Sequence, residues 1–266
     1  MSVLIVIPAR YASTRYPGKP LVPLKGAKGQ EQSLIERSWR AAMQVRGADR
    51  VVVATDDDRI RDAAQGFGAD VVMTSPSCQN GTERCAEALV TLGETFEMVV
   101  NLQGDAPLTP PWFVEDLIAG LDADPTAQVA TPVLRCEGRA LNGFLADRKA
   151  GRVGGTTAVF GRNRHALYFS KEVIPYTAGV YADQDETPVF HHVGVYAYRP
   201  TVLAEYTRWP IGPLESLEGL EQLRFLENDR SILCVEVQAR GRQFWELNNP
   251  EDVARLETMM AEMGME

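Results

Sequence analysis

The stretch VLIVIPARYASTRYPGKPLVPLKG at 3–26 decides how the chain is read. Val3–Ile7 is an unbroken apolar run that stops at Pro8. A strand with one wet face alternates apolar and polar residues. A run without alternation suits a central parallel strand covered on both faces. A Gly- and Pro-rich loop follows and carries Arg10, Arg15 and Lys19, with Gly18 supplying freedom between the cations. Pro8, Ala9 and Arg10 leave the strand, where small residues let backbone amides approach a ligand closely. Arg15 and Lys19 can meet phosphate oxygens, one as a planar fork and the other as a point charge. Residue types alone leave an anion site and a solvated loop both open.

Working outward, the pattern repeats. Ser33-Leu-Ile-Glu36 is a capping box that opens a helix with Leu34, Ile35, Ser38, Trp39 and Ala42 on one side. Val51–Thr55 reads as a strand, 59–65 as a helix and 70–73 as a strand. Glu83–Leu92 reads as a helix stopped by Gly93, and Met98–Leu102 as a strand running into Gln103-Gly104-Asp105. Thr109 and Pro110 read as the cap and first residue of a further helix. Strands alternating with helices predict an α/β fold with a mostly parallel, doubly wound sheet, whose ligand sits beyond the carboxyl ends of the strands. From about 136 to 200 the segments become shorter and more strand-like (168–170, 173–176, 193–198), which predicts a smaller inserted subdomain of mixed strands. A helix over 214–226, a strand over 232–237 and a closing helix over 250–260 complete the chain.

The 266 residues are 45% hydrophobic and 24% charged, an ordinary globular balance. No apolar run is long enough to span a bilayer, and Val3–Ile7 is too short for a signal segment, so a cytoplasmic protein without membrane insertion is expected. Four scattered cysteines suit buried thiols in a reducing compartment. The net charge of −9 speaks against nucleic acid as a partner. That charge is unevenly spread. Residues 1–30 hold Arg10, Arg15, Lys19, Lys25 and Lys28 and no acid, which leaves −14 for the rest. An acidic chain with a basic head has one place that attracts an anion.

No GxxxxGK[ST], GxGxxG or HExxH pattern occurs. Asp105 stands where a strand-end carboxylate can hold Mg²⁺, and where a turn-forming Asp is equally at home. Asp56–Asp58 reads as a turn and helix cap. His191 and His192 have no third ligand at metal spacing, so zinc is not expected.

In order along the chain stand IPARYASTRYPGKPL at 7–21, ATDDDRI at 54–60, NGTERCAE at 80–87, NLQGDAP at 101–107, LYFSKEVIPY at 167–176, TPVFHHVGVYAYR at 187–199, PLESLEGLEQLR at 213–224 and NNPEDVARLE at 248–257. Together they resemble the 3-deoxy-manno-octulosonate (KDO) cytidylyltransferases, over almost the whole chain. The resemblance implies a nucleotide-sugar-transferase-like, Rossmann-like fold in one domain, 1–266, with 136–200 as a sugar-binding and dimerisation subdomain. It implies a Mg²⁺-dependent homodimer that joins CTP and KDO into CMP-KDO and pyrophosphate for lipopolysaccharide or capsule synthesis. It carries Pro8, Ala9, Arg10, Arg15 and Lys19 to the nucleotide, with Arg15 and Lys19 on the triphosphate. Gly81, Thr82, Arg84 and Gln103 fall on the cytidine side, and Asp105 on the metal. Arg15, Lys19 and Asp105 thereby become the expected catalytic residues. Lys171, His192, Tyr196, Glu221 and Gln222 fall on the sugar-acid side, Lys171 where the family has an arginine. Asn248 stands where the family places an aspartate as second metal ligand, and Ala106 where it places a glutamate. An amino-KDO or another ulosonic acid, or a relative that binds without turnover, are the alternatives these departures leave open.

Overall fold

In the computed structural model, which describes residues 1–12, 16–242, 245–247 and 249–265, Val3–Ala9 forms β1, buried at all seven positions. The short antiparallel pair β2 (Pro23–Lys25) and β3 (Glu31–Ser33) follows. Helix α1 (Leu34–Ala42) starts at the capping box: Ser33 Oγ accepts from Glu36 N at 3.3 Å, and Leu34, Ile35, Ser38 and Ala42 are buried. Then come β4 (Arg50–Thr55), α2 (Asp58–Gly66), β5 (Asp70–Met73), α3 (Gly81–Leu92), β6 (Met98–Leu102) and α4 (Pro111–Ala123). Asp57 caps α2 by accepting from Arg59 N at 2.9 Å, as the acid cluster predicts. Helix α4 begins one residue later than expected. The Thr109 hydroxyl is buried without a hydrogen-bond partner among the described residues, so it caps nothing.

Two compact units emerge. The first comprises Met1–Glu115, Arg199–Thr207 and Ala239–Glu266. Its sheet has the order β5-β4-β1-β6, all parallel. The chain steps outward from β1 through β4 to β5, then returns to the other side of β1 with β6. The direction of winding therefore reverses between β1 and β6. In such sheets that reversal opens a crevice beyond the strand ends, because the adjoining loops part in opposite directions. The residues that leave β1 and β6 there are Arg10 and Gln103 to Asp105. The hairpin side of this unit is closed by Leu24, Leu34, Leu108, Leu247, Leu256, Met259 and Met260, an apolar cluster that anchors the last helix of the chain.

The second unit comprises Asp116–Tyr198 and Arg208–Gln238. It holds β7 (Val129–Glu137), α5 (Gly138–Lys149), β8 (Thr156–Phe160), β9 (Ala166–Ser170), β10 (Glu186–His192) and β11 (Val195–Tyr198). Helix α6 (Pro200–Tyr206) belongs to the first unit, where it packs on α3. Next come α7 (Pro213–Glu218), α8 (Leu223–Glu227) and β12 (Ile232–Glu236) of the second unit, and α9 (Asp252–Glu262) of the first. The strands pair β11-β7-β10-β8-β9 antiparallel, with β12 parallel to β7. The helix expected over 214–226 is broken in two, because Gly219 turns left-handed (φ 61°) and stops α7. Val173–Tyr176 is not a strand, and Pro175 within it has no N–H to give a ladder. No described helix is long and apolar enough to cross a membrane. The four cysteines are free and buried.

Candidate active site

The first unit holds a cleft of about 240 Å³ lined by Pro8, Ala9 and Arg10 from the end of β1, Lys19 and Pro20, Cys78 to Gly81 and Arg84 at the start of α3, and Gln103 to Asp105 after β6. This is the crevice that the strand order predicts. Eight residues assigned to the nucleotide and metal from sequence meet there: Pro8, Ala9, Arg10, Lys19, Gly81, Arg84, Gln103 and Asp105. Thr82 is fully buried and does not line the cleft. Arg15 and Asn248 lie outside the described residues.

Lys19 Nζ donates to Asp105 Oδ2 at 2.6 Å, with side-chain exposures of 13% and 27%. The ammonium is thus fixed beside the carboxylate by a charge-assisted hydrogen bond in a partly desolvated setting. Its backbone is fixed too. Gly18, in the left-handed region at φ 72°, starts a 3₁₀ turn at Lys19–Leu21. Asp105 is held from behind, because its carbonyl accepts from Leu247 N at 3.0 Å. Asp252 secures that returning segment: Oδ1 accepts from Trp245 Nε1 at 2.9 Å and Oδ2 from Asn249 N at 2.7 Å. Asp252 is therefore engaged in holding the loop.

The opposite wall is the start of α3. Asn80 caps the helix, its Oδ1 accepting from Glu83 N at 2.9 Å, and its amide donates to the buried Tyr206 hydroxyl at 3.0 Å. A Cβ on Gly81 would stand 2.8 Å from Gln103 Nε2 and 2.9 Å from Asn101 Nδ2. Only glycine lets these two amides come so close to the helix start. Arg84 is buried, donates to the Thr74 hydroxyl and lies 3.4 Å from Asp56 Oδ1. Cys78 donates to Glu87 Oε2 at 3.0 Å, and burial together with that carboxylate pushes its thiol up to about 12. A thiol raised in this way stays protonated near neutral pH. Sequence reasoning put the Asn80–Arg84 loop on the ligand rim, where Asn80 lies, but did not single out its cap and gave no site role to Asn101 or Cys78.

The sugar-side residues all fall in the second unit. Thr131 has one hydroxyl proton and lies 2.8 Å from Val195 O, 3.3 Å from Val193 O and 2.9 Å from His192 Nε2. The proton goes to a carbonyl, so His192 donates from Nε2 and its Nδ1 is left as an acceptor. Burial, with His191 nearby, pushes His192 down to about 3, so the ring is neutral. His192 lies between Phe169 and Tyr196, with ring centroids at 5.0 and 5.6 Å. Tyr196 donates from its hydroxyl to Gln222 Oε1 at 3.1 Å. Gln222 Nε2 is buried with no hydrogen-bond partner among the described residues, a donor left for an incoming oxygen. Glu218 accepts from Lys171 N at 2.9 Å and Ser170 Oγ at 2.6 Å, and the Lys171 ammonium lies against Gly219. Glu221 is half-buried just before Gln222. This cluster suits a polyol that carries one acid group: an acceptor, an amide donor and a cation in aromatic surroundings.

The cytidylyltransferase family model matches residues 4–232. A 3-deoxy-manno-octulosonate cytidylyltransferase of Maricaulis maris is 46% identical over 99% of both chains. An 8-amino-3,8-dideoxy-manno-octulosonate cytidylyltransferase of Shewanella sediminis is 38% identical over 98% of this chain and 99% of its own. Among solved structures, a CMP:2-keto-3-deoxy-manno-octonic acid synthetase complexed with CTP superposes with a TM-score of 0.82 at 34% identity, covering 99% of this chain and all of that one. With a cleft at the winding reversal and a family model that spans most of its length, this chain belongs to the cytidylyltransferase family.

Proposed function

We propose that the protein transfers CMP from CTP to the anomeric hydroxyl of 3-deoxy-manno-octulosonate, giving CMP-KDO and pyrophosphate. The observation that carries this reading is the meeting of Lys19 and Asp105 in the cleft beyond β1 and β6, in a chain of this family. The hydroxyl attacks the α-phosphorus in line and pyrophosphate leaves. Such a transfer asks little covalent chemistry of the protein, so positioning and charge neutralisation dominate. Arg15 and Lys19 neutralise the departing pyrophosphate, with Arg10 on the nucleotide. Gln103 with Gly81 shapes the cytidine side. His192 Nδ1 accepts from a sugar hydroxyl, Gln222 Nε2 donates to a sugar oxygen, and Lys171 pairs with the sugar's carboxylate.

Asp105 fits Mg²⁺: it is a hard oxygen donor, partly exposed, at the cleft. Among the described residues no group of three or more His, Cys, Asp or Glu forms a metal cage. That suits an ion that leans on one or two carboxylates and otherwise on substrate phosphates. When bound, the ion supplies Lewis-acid polarisation of a phosphoryl oxygen. The reading includes a cytoplasmic homodimer. Buried free thiols suit a reducing compartment, and the exposed apolar side chains Leu167, Tyr176, Val180 and Leu217 suit a subunit contact.

The test is pyrophosphate release from CTP and Mg²⁺ over a panel of sugar acids that includes KDO and its 8-amino analogue. Release with KDO is expected. Release with the amino sugar alone moves the substrate, and no release with any sugar acid overturns the reading.

A further inference from the structure

The motif ATDDDRI at 54–60 has so far only a capping role, yet its last charged residue reaches the nucleotide loop. The Arg59 guanidinium lies over the Tyr11 ring, 3.3 Å from its centroid. Asp57 aims it, accepting from Arg59 Nε at 2.9 Å and from Nη2 at 2.6 Å, a fork grip on the cation. Tyr11 and Gly18 close the loop between them: Gly18 N donates to Tyr11 O at 3.0 Å. The ring also packs against Gly18, 3.1–3.2 Å from where a Cβ would stand. Gly18 is in the left-handed region and leads directly into Lys19, the partner of Asp105.

We infer that Arg59 is a positioning residue for the nucleotide loop: Asp57 holds its guanidinium on Tyr11, and this keeps the Tyr11–Gly18 closure formed before CTP arrives. The physical content is preorganisation. A loop already closed loses less freedom when it binds a triphosphate, so affinity rises without a new ligand contact. Arg59 itself is on the surface and supports no core, so its removal leaves the fold standing. The inference rests on the proposed use of CTP.

The experiment compares the full-length protein with Arg59→Ala, Arg59→Lys and Tyr11→Leu. Amide hydrogen exchange at Gly18 is followed without nucleotide, and CTP affinity by calorimetry with Mg²⁺. A cation–π contact at an exposed site corresponds to about a two- to fivefold change in an equilibrium. Arg59→Ala is expected to weaken CTP binding and hasten Gly18 exchange by about that factor. KM for CTP should rise in step while kcat at saturating CTP is kept, and Arg59→Lys should fall in between. Adding Arg59→Ala to Tyr11→Leu should cost nothing further. Unchanged Gly18 exchange, or unchanged CTP affinity, in Arg59→Ala overturns the inference. Absence of CTP binding in the unaltered protein overturns the functional reading instead, and Gly18 exchange then decides the loop's closure by itself.

Discussion

The Lys19 ammonium and the Asp105 carboxylate, 86 positions apart in sequence, meet at 2.6 Å. One comes from the loop after β1 and the other from the end of β6, so the pair spans the point where the winding reverses. A cation and a carboxylate held together in a partly dry cleft are a matched set for a substrate that brings both phosphates and a divalent ion.

Replacing Lys19 by Ala removes one charge-assisted contact, which is about 1.5–3 kcal/mol. The expected result is a loss of about 10- to 100-fold in kcat/KM for CTP, with KM for the sugar acid little changed. Steady-state kinetics over both substrates measures it, and wild-type CTP kinetics would refute the triphosphate role of Lys19.

Gly81→Ala tests the close approach at the cleft wall. Alanine favours a helix, so α3 itself is not weakened. The added methyl would overlap the Gln103 and Asn101 amides, and such overpacking costs about 1–3 kcal/mol. The unfolding temperature is expected to drop by the few degrees such a cost implies, and CTP affinity to fall as the displaced amides reshape the cleft wall. Calorimetric titration decides; an unaltered affinity means the amides move aside and do not shape the cytidine site.

His192 gives a pH signature. Its folded-state pKa lies near 3, below the ordinary value of 6.5, because burial disfavours the cation. The unfolded chain takes up the proton first as pH falls, so stability is whole above about 6.5 and declines toward the folded value. Between pH 6.5 and pH 4.5 this one group removes about 2–3 kcal/mol. His192→Asn is expected to flatten the acid side of the stability curve by that share, read by urea unfolding at several pH values. An unchanged slope would mean that the ring is already protonated in the fold.

Asn248 follows Leu247, whose amide binds the Asp105 carbonyl. Restoring a carboxylate with Asn248→Asp is expected to lower the Mg²⁺ concentration for half-maximal activity severalfold, because a charged oxygen replaces a neutral one. A Mg²⁺ titration of pyrophosphate release measures it. An unmoved midpoint assigns metal affinity to Asp105 and the substrate alone.

Much of this was legible in the sequence for local reasons. Val3–Ile7 has no polar interruption, Ser33 and Glu36 form a capping box, and Asp57 precedes a helical run; each signal lies within a few residues. The residues leaving β1 and β6 followed from the parallel sheet. What escaped depends on distance or on weak local pattern. Nothing near Lys19 announces Asp105, and nothing near Arg59 announces Tyr11. Helix α5 was missed because Gly138–Lys149 mixes apolar and polar residues with two glycines and buries only Gly138 and Leu141. The break at Gly219 was overlooked because Leu and Glu continue on both sides in helical spacing. The roles of Thr131 and Tyr206 arise only from packing across β7 and α6, which no spacing along the chain records.

The amide of Leu247 on the carbonyl of Asp105 makes the carboxyl-terminal segment a splint for the cleft's carboxylate. Shortening the chain before Trp245 would therefore do more than strip a surface helix. It would cut the brace that sets the angle of Asp105 and expose the apolar cluster of Leu24, Leu34 and Leu108 in the same stroke. A truncated protein should lose catalytic geometry and solubility together.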